Sequence, residues 1–309
     1  MGIVIGSLEQ GLIYGFLALG VYLAFRILNF PDLTVDGSFP MGAAISALFI
    51  TKGLDPFISL VFAGIAGGFA GLLTGLLHTK GKINGLLAGI LSMTALYSIN
   101  LKIMGTSNLS LFRHETIFTP LANLSSFSYT IFLFLLVFLA KKVLDWFLRT
   151  DLGLAVRATG DNSAMIRSLG VSTNQTIILG LVISNALVGL AGGIMAQYQG
   201  YADVQMGIGM IVVGLASVII GEVIFGTISI ERVTLAVIGG AIVYRLVIAI
   251  ALYLPFISPT DMKLITAMIV IIALTIPKFS LRKIKKNEST QKSFSNTVMP
   301  QIKEVKREG

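Results

Sequence analysis

Residues Arg149 to Thr176 read RTDLGLAVRATGDNSAMIRSLGVSTNQT, and long apolar runs flank them on both sides. No other internal stretch of this length mixes charge, turn residues and a short helical pattern. Asp161 and Asn162 can cap a helix start, because their side-chain oxygens accept the free N–H groups of a first turn. Met165, Ile166 and Leu169 follow at i, i+1 and i+4, one apolar side of a short helix. Arg167 falls in the last turn, where a cation suits the negative end of the helix dipole. Gly170 supplies the stop. The pattern predicts one to two turns of amphipathic helix, held outside a bilayer between two spans. Such a helix is marginal alone and needs a surface to pack against. An ordinary inter-span loop would account for the same residues.

The flanking runs decide the class. The chain of 309 residues is 55% hydrophobic and 12% charged, against roughly 25% charged in soluble domains. Nine apolar segments fall at 3–25, 38–51, 56–77, 84–104, 129–148, 176–197, 208–227, 232–253 and 262–277. A helical crossing needs about 20 residues, so the second and last are short enough to be half-spans or re-entrant pieces. The expected fold is all-α, a polytopic transmembrane helical bundle of eight or nine segments. Gly64, Gly67, Gly71 and Gly75 recur at helical spacing on the third segment. Small residues there allow close helix packing in lipid. There is no cysteine and there are two histidines, which excludes disulfides and thiolate metal sites and argues against a histidine metal cluster. The first segment lacks a basic leader and is interrupted by Glu9, so it reads as a retained span.

Basic residues set the orientation. With 149–176 in the cytoplasm and nine alternating spans, eighteen of the 23 Lys and Arg residues fall on the cytoplasmic side. Nine of these belong to the tail from Lys278 to Arg307, and Lys141 and Lys142 are among the rest. The N-terminus is then outside and the C-terminus inside. The net charge of +8 is spent on this asymmetry, and nucleic acid is not an implied partner. Residues 279–309 read as a basic, disordered cytoplasmic tail able to rest on anionic lipid. The outer segment 105–128 carries Arg113, His114 and Glu115 together.

Charge at membrane depth is costly and usually faces a partner, a cavity or a pathway. Asn29, Asp32, Thr34, Asp36 and Ser38 lie within NFPDLTVDGSFP, residues 29–40. Pro31 and Pro40 are expected to break helices at its two ends, with Gly37 free to take an unusual backbone angle. Such an unwound joint carrying carboxylates is a candidate substrate site. A membrane-edge turn whose aspartates cap the next helix fits equally well. Glu9, Asn100 and Glu222 complete the candidate pathway, with Arg245 as a possible partner for either glutamate. There is a faint echo, GSFPMGAA at 37–44 against GMIVVGLA at 209–216, with the two copies on opposite faces. That fits an inverted repeat. No nucleotide-binding G-x-x-x-x-G-K-[ST] motif and no catalytic set occur, so the chain reads as a pathway powered from elsewhere.

The run RATGDNSAMIRSLGV, residues 157–171, resembles the cytoplasmic coupling loop of ABC importer permeases of the branched-chain amino acid and ribose type. The match rests on Arg157, Ala158, Gly160, Asn162, Arg167 and Gly170. Ile166 departs from the small residue usual there. The runs NFPDLTVDGSFP, NGLLAGILSMTALYSIN (84–100) and GLASVIIGE (214–222) are similar to the tryptophan/tyrosine-type permease subgroup. The resemblance implies a permease domain over 1–278 of a bacterial plasma-membrane importer, moving an amino acid such as tryptophan or tyrosine. It implies no cofactor in this chain, since ATP and magnesium would be bound by cytoplasmic ATPase partners. It also implies an extracytoplasmic substrate-binding lipoprotein and a second permease copy. Arg157, Ala158, Gly160, Asp161, Asn162, Met165, Ile166, Arg167, Leu169 and Gly170 would couple to the ATPase. The competing readings are an ion-coupled secondary transporter using Glu9, Asp32, Asp36 and Glu222, and a membrane scaffold without transport.

Overall fold

The computed structural model describes residues 2–121, 127–227 and 229–252, together with 264, 267, 268 and 271. The chain divides into two units, Met1–Thr266 and Ala267–Gly309. In the second unit Ala267, Met268 and Ile271 are helical. The ninth apolar segment, 262–277, lies almost wholly outside the described residues, as does the basic tail.

The eight earlier segments all form helices: α1 Gly2–Val21, α2 Val35–Thr51, α3 Pro56–Thr79, α4 Gly85–Met104, α5 Ser128–Arg149, α8 Thr173–Gln199, α9 Met210–Phe225 and α10 Ile230–Leu252. Between α5 and α8 lie two short helices, α6 Asp151–Asp161 and α7 Ser163–Ser168. Two three-residue strands, β1 Asn108–Ser110 and β2 Tyr201–Asp203, pair antiparallel. Among the described residues six helices are long and apolar enough to cross a membrane, and α2 is a shorter apolar one. Helix α5 has the length for a span but carries Lys141, Lys142, Asp145 and Arg149 toward its end.

Helix α1 is buried on every side from Gly11 to Ala24. An all-round apolar sequence suits that central place. It packs against α5, α8, α9 and α10, while α8 packs against α1, α2 and α3. Glycines bring α2, α3 and α8 together. A Cβ on Gly42 would overlap the Gly189 carbonyl, one on Gly192 the Phe39 carbonyl, and one on Gly67 the Asn185 carbonyl. The glycine spacing noted on α3 is therefore a helix contact within one chain.

Side-chain contacts show which helix ends share a side. Glu9 near the start of α1 meets Thr130 at the start of α5 and Tyr198 at the end of α8. Arg26, at the other end, meets Glu222 near the end of α9. Arg149 and Glu231 pair on that same side, which also carries α6 and α7. This is called the lower side below.

Two expectations about the joint are corrected. Pro40 does not break a helix, because it sits inside α2. Its missing N–H leaves the Asp36 carbonyl without an intrahelical partner, and Gly207 packs against both that carbonyl and the proline ring. Gly37 is helical, and the positive φ belongs to Asn29, at 53°. Lys141, counted among the cytoplasmic charges, is instead buried in the bundle at 4% exposure and paired with Asp145 at 2.6 Å.

Candidate functional site

Helix α1 loosens into a π-helical turn, Tyr22–Ile27, before the chain unwinds over residues 28–34. Such turns insert one residue into the helical ladder and often mark functional positions. The unwound segment is held by side chains. Asp32 is fully buried and accepts the Thr34 N–H at 2.9 Å and the Asn185 amide at 2.6 Å. The Ser38 hydroxyl donates to Asn185 Oδ1 at 2.7 Å. Thr34 and Thr74 share a 2.6 Å hydrogen bond, and Thr74 donates to Ser92 at 2.7 Å. The Asn100 amide donates to the Gly37 carbonyl at 3.1 Å. Asp32, Thr34, Ser38 and Asn100 thus stitch the joint to α3, α4 and α8, and each is fully buried. The Asn100 Oδ1 atom is buried without a hydrogen-bond partner.

Asp36 behaves differently. It lies in the first turn of α2 and is only half-buried. Its carboxylate accepts the backbone N–H of Gly209 at 2.9 Å and of Ile211 at 2.8 Å. The N-cap of α9 is Gly209, at φ 86°, which has no side chain to offer. Asp36 therefore caps α9 from another helix, placing a negative charge at the positive end of its dipole. At 1.5 Å per residue, this cap is about 18 Å along α9 from Glu222 and about 21 Å along α2 from Ile50. Both helices begin deep in the bundle and run to opposite sides, as an inverted repeat requires. Residues 201–209 descend beside α2 to reach this point, through the 3₁₀ turn Val204–Gly207.

The two membrane glutamates have separate partners, and neither pairs with Arg245. Glu9 is 5% exposed and accepts from Thr130 at 3.1 Å and Tyr198 at 2.8 Å. Glu222 pairs with Arg26 at 2.8 Å. Arg245 donates to Gln10 and lies 5.7 Å from the Tyr14 ring. Arg26 is 62% exposed, so Arg26→Gln should lower stability by less than about 1 kcal/mol. Tyr198→Phe strips a donor from a buried carboxylate and should cost more, about 1–3 kcal/mol. Thermal melting of the two detergent-purified variants checks this order.

Below the bundle, Thr150 caps α6 and Gly160 sits against the Ile27 carbonyl so closely that no Cβ would fit. Thr159 and Thr176 share a 2.8 Å hydrogen bond that ties α6 to α8. Asn162 caps α7 by accepting the Met165 N–H at 3.0 Å, while Asp161 ends α6. Gly170 takes φ 85° after the helix, as a stop requires. Arg157 and Ala158 are half-buried, and Arg167 is exposed, with its Nε donating to the Ser163 carbonyl. The apolar side divides. Ile166 is 6% exposed and packs inward, whereas Met165 and Leu169 stand 50% and 70% exposed. On a helix, positions i and i+4 are 40° apart and i+1 lies 60° further round, which separates these roles.

These features define a class: a polytopic helical membrane subunit with a broken, polar-stitched joint and a short exposed helix anchored beneath it. Comparison with known proteins gives the family. Residues 3–275 match the model for the permease component of the branched-chain amino acid transport system, and the chain belongs to that family of ABC transporter permeases. It is 44% identical over 284 residues to the tyrosine transport system permease protein of Clostridioides difficile, covering 92% of this chain and 94% of that one. It is 25% identical over 232 residues to the D-allose transport system permease protein of Escherichia coli, covering 74% and 69%. An autoinducer 2 import system permease protein of Yersinia pestis is 27% identical over 210 residues, covering 67% and 58%. Family membership makes this chain a transport subunit of a multi-pass membrane system and displaces the ion-coupled and scaffold readings.

Proposed function

We infer that this permease serves an importer for an aromatic amino acid such as tyrosine or tryptophan. It sits in a bacterial plasma membrane with the α6–α7 side in the cytoplasm and the N-terminus outside. Separate ATPase subunits bind ATP and magnesium, an extracytoplasmic lipoprotein delivers the substrate, and a second copy of this chain completes the pore. The observation that carries the coupling part is the pair Met165 and Leu169. They are exposed apolar side chains on and immediately after a short helix that packs inward through Ile166. The amino-acid part is supported by the named function of the 44% identical relative.

Within this reading Asn29, Asp36 and Glu222, which keep some exposure, face the path, while Asp32, Thr34, Ser38 and Asn100 hold its wall. Tyr97, Thr94 and Ser98 project from the outward face of α4 and offer an aromatic and polar lining shared with the second copy.

The test is uptake into liposomes carrying the permease, its ATPase and the lipoprotein. Met165→Asp with Leu169→Asp should cut ATP-driven tyrosine uptake by about a hundredfold, since two buried apolar contacts are each worth about 1.5 kcal/mol or more. The melting temperature should stay close to the parent value, because both side chains are exposed. Unchanged uptake in the double variant would remove the coupling assignment. Uptake of sugars but of no aromatic amino acid would remove the substrate.

A further inference from the structure

The π-helical turn, the end of α6, the end of α9 and the start of α10 border an open cavity of about 530 Å³ on the lower side. That lies within the usual range for small-molecule pockets, about 300–1,000 Å³. Four charged groups line it: Arg26, Arg157, Asp161 and Glu222. Arg26 and Glu222 satisfy one another at 2.8 Å. Arg157 and Asp161, one turn apart on α6, have no hydrogen-bond or ion-pair partner among the described residues. A cation and an anion are therefore left presented together, beside the apolar side chains of Ile230 and Val233.

We propose that this cavity binds a small zwitterion, with Arg157 receiving its anionic oxygens and Asp161 its primary ammonium. A free α-amino acid on the cytoplasmic side and the headgroup of an ethanolamine phospholipid share that chemistry. Arg157 is suited to planar or phosphate oxygens through its forked donors. The position gives the site a consequence, which rests on the coupling reading above. Asp161 immediately precedes Asn162, whose side chain caps α7. Glu222 lies near the end of α9, and Ser229 immediately precedes α10. A ligand held across these groups ties the coupling segment to α9 and α10. It favours the resting arrangement by whatever affinity it loses when they separate. Accumulated product would then slow its own import.

Equilibrium binding to the permease–ATPase complex, without lipoprotein, tests the site. In nanodiscs of phosphatidylcholine and phosphatidylglycerol, radiolabelled L-tyrosine, L-tryptophan and a panel of other amino acids are titrated. Tyramine, which lacks the carboxylate, and 3-(4-hydroxyphenyl)propionate, which lacks the ammonium, serve as controls. Saturable binding that each analogue weakens by about tenfold, the worth of one charge-assisted contact, is expected. Arg157→Gln should weaken it similarly, and Ser229→Trp should abolish it by filling the cavity. Bound amino acid should also lower lipoprotein-stimulated ATP hydrolysis. A second arm uses discs containing phosphatidylethanolamine and native mass spectrometry. A retained ethanolamine lipid that Ser229→Trp releases, with no amino-acid binding, supports the site and assigns it to the headgroup. Absence of both ligands, or binding indifferent to both variants, overturns the proposal. Working tyrosine uptake alongside an empty cavity overturns the site alone. Zwitterion binding without aromatic uptake overturns the substrate reading alone.

Discussion

Gly42→Val and Gly192→Val should each leave almost no folded permease in the membrane. The two glycines face one another's helices: a Cβ on Gly42 runs into the Gly189 carbonyl, and a Cβ on Gly192 into the Phe39 carbonyl. The obstacle is backbone in both cases, so no rotamer change relieves it and α2 and α8 must separate. That separation would also pull on the Asn185 hydrogen bonds to Asp32 and Ser38, which cross the same contact. Overpacking ordinarily costs about 1–3 kcal/mol. With a buried polar network disrupted as well, the loss should be on the order of 4 kcal/mol or more, enough to unfold a marginal protein. Gly68→Ala is the control. It lies on α3 among the same glycines, yet its nearest contact would be an ordinary 3.5 Å from Val182. Fluorescence-detected size exclusion and melting in detergent should show Gly68→Ala near the parent and both valine variants lost. A well-folded Gly42→Val protein would mean that α2 and α8 do not cross this closely.

The helical segments were legible because apolar runs of span length leave few alternatives, and all eight within the described residues stand where hydropathy put them. The local structure of residues 149–176 was legible through local chemistry. Asn162 and Gly170 act within a few residues of themselves, so cap and stop read directly from sequence. The inward turn of Ile166 was not, since i and i+1 look alike in a pattern until a neighbouring surface claims one of them. Local rules misled at Pro40. Pro40 sits inside α2, and Gly207, far along the chain, packs against the carbonyl it frees. The joint carboxylates were visible, but their division of labour was not. Asp32 is spent on Thr34 and on Asn185, 153 residues away, and Asp36 on the start of α9. The Thr34 contact is local, but neither Asn185 nor the start of α9 is signalled near its aspartate. The descent of 201–209 into the bundle was equally hidden, since a short polar stretch after an apolar run reads as an ordinary surface loop.

Asp36→Ala should reduce ATP-driven uptake by about a hundredfold or more while leaving an assembled, membrane-inserted protein. The carboxylate accepts two N–H groups from the first turn of α9, at 2.9 and 2.8 Å, and Gly209 cannot replace it. Bonds to a charged acceptor contribute about 1.5–3 kcal/mol each, and buried donors left without one carry a desolvation penalty of similar size. The start of α9 should therefore fray by about 3 kcal/mol, which corresponds to roughly two orders of magnitude in the population of the ordered arrangement. The bundle survives because α9 still packs against α1 and α10, and α2 keeps its contacts with α8. Asp36→Asn retains one acceptor but turns an N–H₂ toward donors, so it should fall between the parent and alanine. Asp36→Glu keeps the charge on a longer arm and should recover more than asparagine. Hydrogen exchange over residues 208–214 gives a readout that uptake alone does not. Protection there should drop in the order glutamate, asparagine, alanine, with little change in α3 or α5. If α9 stays fully protected in Asp36→Ala, water or a neighbouring group caps it and the two halves are not joined through this carboxylate. If protection falls but uptake is unchanged, the cap is structural and the path lies elsewhere.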